Sequence, residues 1–354
     1  MRKIDIENVA PGVKIAKTIF NSEGRVLLTS GVEFKDQFLE KLRSNGITEI
    51  YIEDEMSEGI EVRDVICDQT RVEAKCVIKN LMDNYVFSQS INTGKVKDVI
   101  DKIIDELLNS RDILINLSDI KSVDDYTFEH SVNVCILSLI TGIGLGYNSF
   151  RLKDLGVGAL LHDIGKLKIP EEVLKKPSQL TVEEFEEIKK HTIYGYEILK
   201  NYENISMISA FIAFGHHERY DGSGYPLQLR GDNIHQCARI VAVADVYDAL
   251  TSDRVYRKKL KPHEVVDYIT SLGTHHFDKE IVDQFVQYIA VYPLGTGVLL
   301  NTRERGIVIK VDKNLPTRPV VRIVFNEKRE KLDQYYDIDL SKKLNIFIVD
   351  SFEL

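Results

Sequence analysis

The run LLHDIGK at 160–166 sets His162 beside Asp163, and further along the chain stand His191, the pair His216 and His217, and a second carboxylate, Asp245. Adjacent residues on a helix point about 100° apart, so His162 and Asp163 can both reach a metal off one edge while the second carboxylate oxygen reaches another. A lone aspartate cannot do this without a second set of ligands. His191, His216 and His217 are that set, and His130 and Asp245 complete the first. Mixed nitrogen and oxygen donors suit iron or manganese, and less decisively zinc; a structural zinc usually recruits cysteine thiolates. Asp245 lies in the apolar run RIVAVADVYDAL, where an unpaired carboxylate is costly, so a metal partner is the economical explanation. A single histidine in an apolar stretch is more often a core or capping residue than a ligand, and His235, His263, His275 and His276 are read that way.

The bulk composition limits what such a centre could serve. Apolar residues make up 44% and charged residues 29% of the 354, as in an ordinary globular protein with room for two or three domains. A net charge of −9 argues against a broad surface for duplex nucleic acid, though a site can be locally cationic for a small anionic substrate. Arg254, Arg257, Lys258, Lys259 and Lys261 form such a cationic stretch; the last three read as a solvated helix end. No apolar run is long enough for a membrane span and the first residues lack a signal-peptide pattern, so a cytoplasmic protein without membrane insertion is expected. Cys67, Cys76, Cys135 and Cys237 show no CxxC spacing and read as buried hydrophobes in a reducing compartment.

The motifs HSVNV at His130, LLHDIGK, KKHTIYG around His191, HHERYDGSGYP at 216–226 and ARIVAVADVYDALTSDRVYR at 238–257 together carry a resemblance. They stand in the order found in the HD-GYP family, the branch of HD-domain phosphohydrolases that cleaves cyclic dinucleotides, and the chain resembles that family over about half its length. A bare HD pair is weak, whereas the ordered set with Gly224, Tyr225 and Pro226 is specific. The resemblance implies a mainly α protein whose catalytic domain is an HD-type helical bundle. It implies one metal held by His130, His162, Asp163 and Asp245 and another by Asp163, His191, His216 and His217, with Asp163 as the bridge. Two divalent transition-metal ions, Fe or Mn, are the expected cofactors, and a hydroxide bridging them is the expected nucleophile. Lys166, a helical turn beyond His162, would meet a phosphate oxygen or stabilise the transition state.

The loop 220–226 is expected to shape the substrate pocket, with Gly222 and Gly224 allowing its backbone path, Pro226 stiffening its exit and Tyr225 packing rather than reacting. Arg254 and Arg257 match basic positions that contact the cyclic dinucleotide in the family, where a guanidinium can pair with phosphate or a guanine edge. Asp248, a turn beyond Asp245, suits either substrate contact or a cap or ion pair. Glu218 suits either the orientation of a ligand histidine or proton transfer to the leaving 3′ oxygen. Some family members carry a third-metal glutamate four residues before the first histidine ligand. Here that position is Tyr126, a poor ligand, so two metals and a product that stops at linear pGpG are expected. The implied activity is cyclic di-GMP phosphodiesterase; the alternatives are hydrolysis of cyclic GMP-AMP or another nucleotide phosphoester, and a non-catalytic cyclic di-GMP sensor.

The elements that must position these residues fall into three segments. Residues 1–62 read as a small α/β regulatory or docking module, with strand patterns at 14–20 and 25–31 around the turn 21–24, a helix at 35–44 and a strand at 49–52. Helical patterns dominate 63–290, with the core of the catalytic region at about 115–290. Thr181 and Glu184 form a capping-box signature opening the helix that carries His191, with Gly195 a turn later for close packing. TGIGLGYN at 141–148 reads as a helix-ending loop, not a dinucleotide-binding turn. Residues 291–354 alternate β-branched residues between turn signals and read as a C-terminal β module. A second copy or a signalling partner would dock through the terminal modules.

Overall fold

A computed structural model describes residues 1–21, 24–62, 64–88, 90–110, 126–176, 178–252, 259–273 and 275–352, with side chains from 128 onward in the helix that opens at Tyr126. These residues fall into two compact units. One contains the described parts of 1–65 together with 289–352, and the other those of 66–110 and 127–288.

In the first unit, β1 (Arg2–Asp5), β5 (Glu49–Glu53) and β2 (Lys14–Ile15) form an antiparallel sheet, and β3 (Ile19–Phe20) pairs with β4 (Val26–Leu28) across the expected turn. Helix α1 (Gln37–Ser44) closes this sheet's core through Leu42. The C-terminal part is an antiparallel sheet in the order β10 (Ile348–Phe352), β6 (Gly297–Leu300), β7 (Arg305–Lys310), β8 (Val320–Phe325), β9 (Lys331–Asp339). Tyr51, Ile60 and Val62 share an apolar cluster with Ile307 and Val324, so the two ends of the chain are packed in one body. Arg322 Nη1 adds a hydrogen bond to the Glu58 carbonyl at 2.6 Å.

The second unit is helical: α2 (Asp68–Ser88), α3 (Thr93–Asn109), α4 (Tyr126–Gly144), α5 (Ser149–Leu160), α6 (Glu171–Leu174), α7 (Val182–Lys189), α8 (His191–Leu199), α9 (Met207–Gly215), α10 (Gln236–Thr251), α11 (Pro262–Leu272) and α12 (Lys279–Val286). Helix α4 is buried without a break from Glu129 to Gly142, as a helix apolar on every side must be. It ends in the glycine-rich loop, where Gly146 takes a positive φ of 75° and Asn148 caps α5 by accepting from the Arg151 N–H. No helix of the described residues is long and apolar enough to cross a membrane.

The expected single helix around His191 is in fact two. The Thr181–Glu184 capping box opens α7, but α7 stops at Lys189 and His191 begins α8. Likewise, α5 stops at Leu160, so His162 and Asp163 lie in a turn that continues into the 3-10 segment Ile164–Lys168 and not on a continuous α-helix. The reason is close packing. A Cβ on Gly165 would lie 1.9 Å from the His191 carbonyl oxygen and 2.4 Å from the Gly195 nitrogen, so only a glycine lets this turn sit on α8.

Candidate metal centre

Three of the candidate ligands share one local device. The last carbonyls of a helix have no intrahelical partner, and a histidine three residues further on can donate to one of them. His162 Nδ1 donates to the Ala159 carbonyl at 2.8 Å at the end of α5. His191 Nδ1 donates to the Ile188 carbonyl at 2.6 Å at the end of α7, and His216 Nδ1 to the Ala213 carbonyl at 3.0 Å at the end of α9. A carbonyl can only accept, so the proton sits on Nδ1 and the lone pair of Nε2 is left facing the other way. The helix breaks that sequence periodicity did not show are thus what orient these imidazoles.

Those lone pairs converge. His191 Nε2 and His216 Nε2 are 3.3 Å apart, and they stand 3.5 and 3.9 Å from Asp163 Oδ1. On the other side, His162 Nε2 is 3.3 Å and His130 Nε2 4.0 Å from Asp163 Oδ2, and His130 Nε2 is 3.1 Å from Asp245 Oδ1. His217 Nδ1 completes the ring at 3.8 Å from Asp245 Oδ2. The donor atoms form overlapping groups whose members lie within 4.8 Å of one another: His191, His216 and His217; His130, His162 and Asp245; and His162, Asp163 and His216. Asp163 stands between the two sides, with Oδ1 toward one and Oδ2 toward the other.

The chemistry of this set fits metal ions. His162 Nε2 and Asp163 Oδ1 are buried acceptors without a hydrogen-bond partner, a loss of about 1–3 kcal/mol each if nothing cationic meets them. Burial, reinforced by the surrounding imidazoles, holds His216 well below the usual histidine range. Burial likewise pushes His217 down to about 3 and lowers His191, so all three are in the neutral form that ligates. Burial raises Asp163 and Asp245, but neighbouring charge overrides it: Lys166 holds Asp163 ionised, and the hydrogen bond from the protonated His130 does the same for Asp245. At His130 burial is likewise outweighed, here by Asp245 and Asp248, which push it up to about 9, so a metal at Nε2 would displace the proton shared with Asp245.

Of the remaining expected site residues, Lys166 donates to Asp163 Oδ2 at 2.5 Å from a partly exposed position at the rim of the cluster. Tyr225 packs on His217 with ring centroids 4.8 Å apart and meets the edge of Phe185 at 6.4 Å. Gly224 is required by contact: a Cβ there would lie 2.3 Å from the Arg219 nitrogen and 2.5 Å from the His217 carbonyl oxygen. Gly222 has a positive φ of 83°, and the Tyr225–Pro226 peptide is cis.

For two further site residues the structure shows partners that the sequence did not. The buried carboxylate of Glu218 accepts the Leu227 and Leu229 N–H groups at 2.7 and 3.0 Å and so pins the loop containing Gly224, Tyr225 and Pro226. Asp248 is 1% exposed, and its two oxygens accept from His130 Nδ1 at 2.7 Å and from the Asn133 amide at 2.9 Å, the ion-pair alternative among those expected for it. It was legible as an ion-pair candidate but not as the partner of His130. Asn133 was missed altogether, and HSVNV holds no signal for it beyond an amide one turn from His130. Arg254 and Arg257 lie outside the described residues, as does the side chain of Tyr126. His235 is the expected capping residue, accepting from Cys237 N at the start of α10.

Comparison with known proteins places this geometry in a family. Residues 124–281 match the HD domain, and 297–354 match a KOW domain associated with HD domains. A cyclic di-GMP phosphodiesterase of Pseudomonas aeruginosa is 31% identical over 287 residues, covering 81% of this chain and 68% of that protein. A 3′3′-cGAMP-specific phosphodiesterase of Vibrio cholerae is 36% identical over 185 residues, covering 52% of this chain and 42% of that one. The fold is similar to an HD-GYP-type protein from Bdellovibrio bacteriovorus, at a TM-score of 0.50 and 19% identity over 80% of this chain and 97% of that one. With these matches and its ordered His and Asp cluster, the chain belongs to the HD-GYP branch of the metal-dependent HD-domain phosphohydrolases.

Proposed function

We propose that the protein is a cytoplasmic cyclic di-GMP phosphodiesterase that opens the ring to linear pGpG, with two Fe or Mn ions held by His130, His162, Asp163 and Asp245 and by Asp163, His191, His216 and His217. The observation that carries the reading is the convergence of five imidazoles and two carboxylates, with His162 Nε2 and Asp163 Oδ1 as buried acceptors that lack a hydrogen-bond partner. When bound, the ions supply Lewis acidity to a phosphoryl oxygen and to water. The chain's own residues do the rest. Lys166 brings a cation to the rim where phosphoryl charge would develop, Tyr225 walls the site beside His217, and Arg254 and Arg257 are the candidates for pairing with the dinucleotide. The names of the relatives support cyclic di-GMP, and the Vibrio relative named for cGAMP favours a mixed cyclic dinucleotide as second reading. Metal analysis of anaerobically purified protein, joined to chromatography of the products formed from cyclic di-GMP and 3′3′-cGAMP, tests both. Metal-loaded protein that leaves both substrates intact refutes the catalytic reading and favours a cyclic di-GMP sensor.

A further inference from the structure

Helix α2 carries its buried residues at Thr70, Arg71, Ala74, Ile78, Leu81 and Met82, so Arg71 occupies a position on the apolar stripe, where a guanidinium is costly. Its Nη1 donates to Asn133 Oδ1 at 3.1 Å in a buried contact between α2 and α4. Asn133 Nδ2 donates to Asp248 Oδ1 at 2.9 Å, and Asp248 Oδ2 takes the His130 Nδ1 proton at 2.7 Å. We propose that Arg71, on a helix outside the matched HD domain, is a positioning residue for the metal centre, acting through Asn133 and Asp248 on His130. The inference rests on His130 being a metal ligand.

The chain of contacts is directional at every link. Arginine can only donate, so it fixes the Asn133 amide with its oxygen toward α2 and its NH2 toward Asp248. Without that donor the amide is free to turn its oxygen toward a carboxylate that needs a proton donor. Asp248 Oδ2 accepts from His130 Nδ1 and so sets the ring with Nε2 toward the site, where a metal would replace the proton that Nε2 shares with Asp245. Where the other oriented imidazoles use a helix-end carbonyl, His130 sits within α4, whose carbonyls are already spent, and depends on this side-chain relay instead. Movement of α2 would therefore be felt at one of the two metal positions.

The test is a manganese titration of chelator-stripped full-length protein, with free Mn2+ followed by electron paramagnetic resonance. Partners of ligand histidines typically contribute 10- to 100-fold to metal affinity, and Arg71→Met, two links further out, is expected to weaken one of the two sites by roughly 10-fold. The apo melting temperature is expected to fall, because the buried Asn133 oxygen loses its donor, so affinities are compared at a temperature where circular dichroism shows both proteins folded. Arg71→Lys should recover part of the affinity, and Asn133→Leu should reproduce the loss from the middle of the relay should Arg71→Met fold poorly. Combined with Asp248→Asn, Arg71→Met should cost nothing further. Wild-type affinity in both Arg71→Met and Asn133→Leu, or losses that add to Asp248→Asn, would overturn the relay. Wild-type protein that binds no manganese would instead defeat the metal-site reading on which it rests.

Discussion

At the scale of single residues, the site is a set of donors whose protons have been placed elsewhere. Asp163 faces both halves of the cluster, so Asp163→Ala should abolish binding of both metal ions, not one. Elemental analysis checks this; full metal content in a variant with unchanged circular dichroism would refute the bridge. Lys166 touches Asp163 but reaches solvent, which suits a group that meets substrate. Lys166→Ala should lower kcat by roughly 10²-fold, about 3 kcal/mol of transition-state stabilisation, while metal content stays at the wild-type level. Near-normal turnover would reduce it to a surface ion pair. On the proposed function, with Tyr126 at the position where the family resemblance implies a third-metal glutamate in some members, a time course should show pGpG accumulating while GMP lags, with iron and with manganese alike. Stoichiometric GMP from the earliest points would contradict this.

At the scale of elements, helix ends do the positioning. α5, α7 and α9 each stop just short of a candidate ligand, and each lends it a carbonyl. Glycine allows two of the close approaches: Gly165 seats the HD turn on α8, and Gly224 folds the loop back over His217 and Glu218. Gly165→Ala should cost at least the roughly 1–3 kcal/mol typical of overpacking, because its Cβ would meet backbone that no rotamer change can clear. Calorimetry against Gly94→Ala, which meets only the Asn92 side chain at 3.5 Å, checks the cause; equal melting temperatures for the two variants would show that the turn relaxes freely.

At the scale of the whole molecule, the two ends of the chain form one unit. The segments 1–62 and 291–354 are far apart in sequence, and Tyr51, Ile60 and Val62 are buried with Ile307 and Val324. Deleting residues 289–354 should therefore expose apolar surface on the N-terminal sheet, at a cost of about 1.5–3 kcal/mol for each large side chain uncovered. The expected signature is loss of the N-terminal amide protection from hydrogen exchange. Unchanged protection at Tyr51 would mean that the N-terminal sheet stands alone.

The sequence by itself determined the list of candidate donors, because five ordered motifs carry a resemblance that implies His130, His162, Asp163, His191, His216, His217 and Asp245, and the structure brings these side chains together. It also determined the local features whose partners lie within a few residues, such as the Thr181–Glu184 capping box, the turn around Asn21 and Gly24 and the loop after α4. β1 and β9 escaped it, since Arg2–Asp5 is short and Lys331–Asp339 has mostly exposed or half-exposed side chains without a clean apolar alternation. What only the tertiary structure decided is which groups face each ligand. Asp248 and Asn133 are 115 residues apart and Asn133 and Arg71 are 62 apart, so no local pattern links them. Glu218 suits either histidine orientation or proton transfer from sequence, and only the fold shows that the Leu227 and Leu229 N–H groups bind its carboxylate. Local sequence encodes periodicity and caps, whereas the partner of a buried polar group is chosen by packing, which brings distant segments within hydrogen-bond reach only once the core has formed.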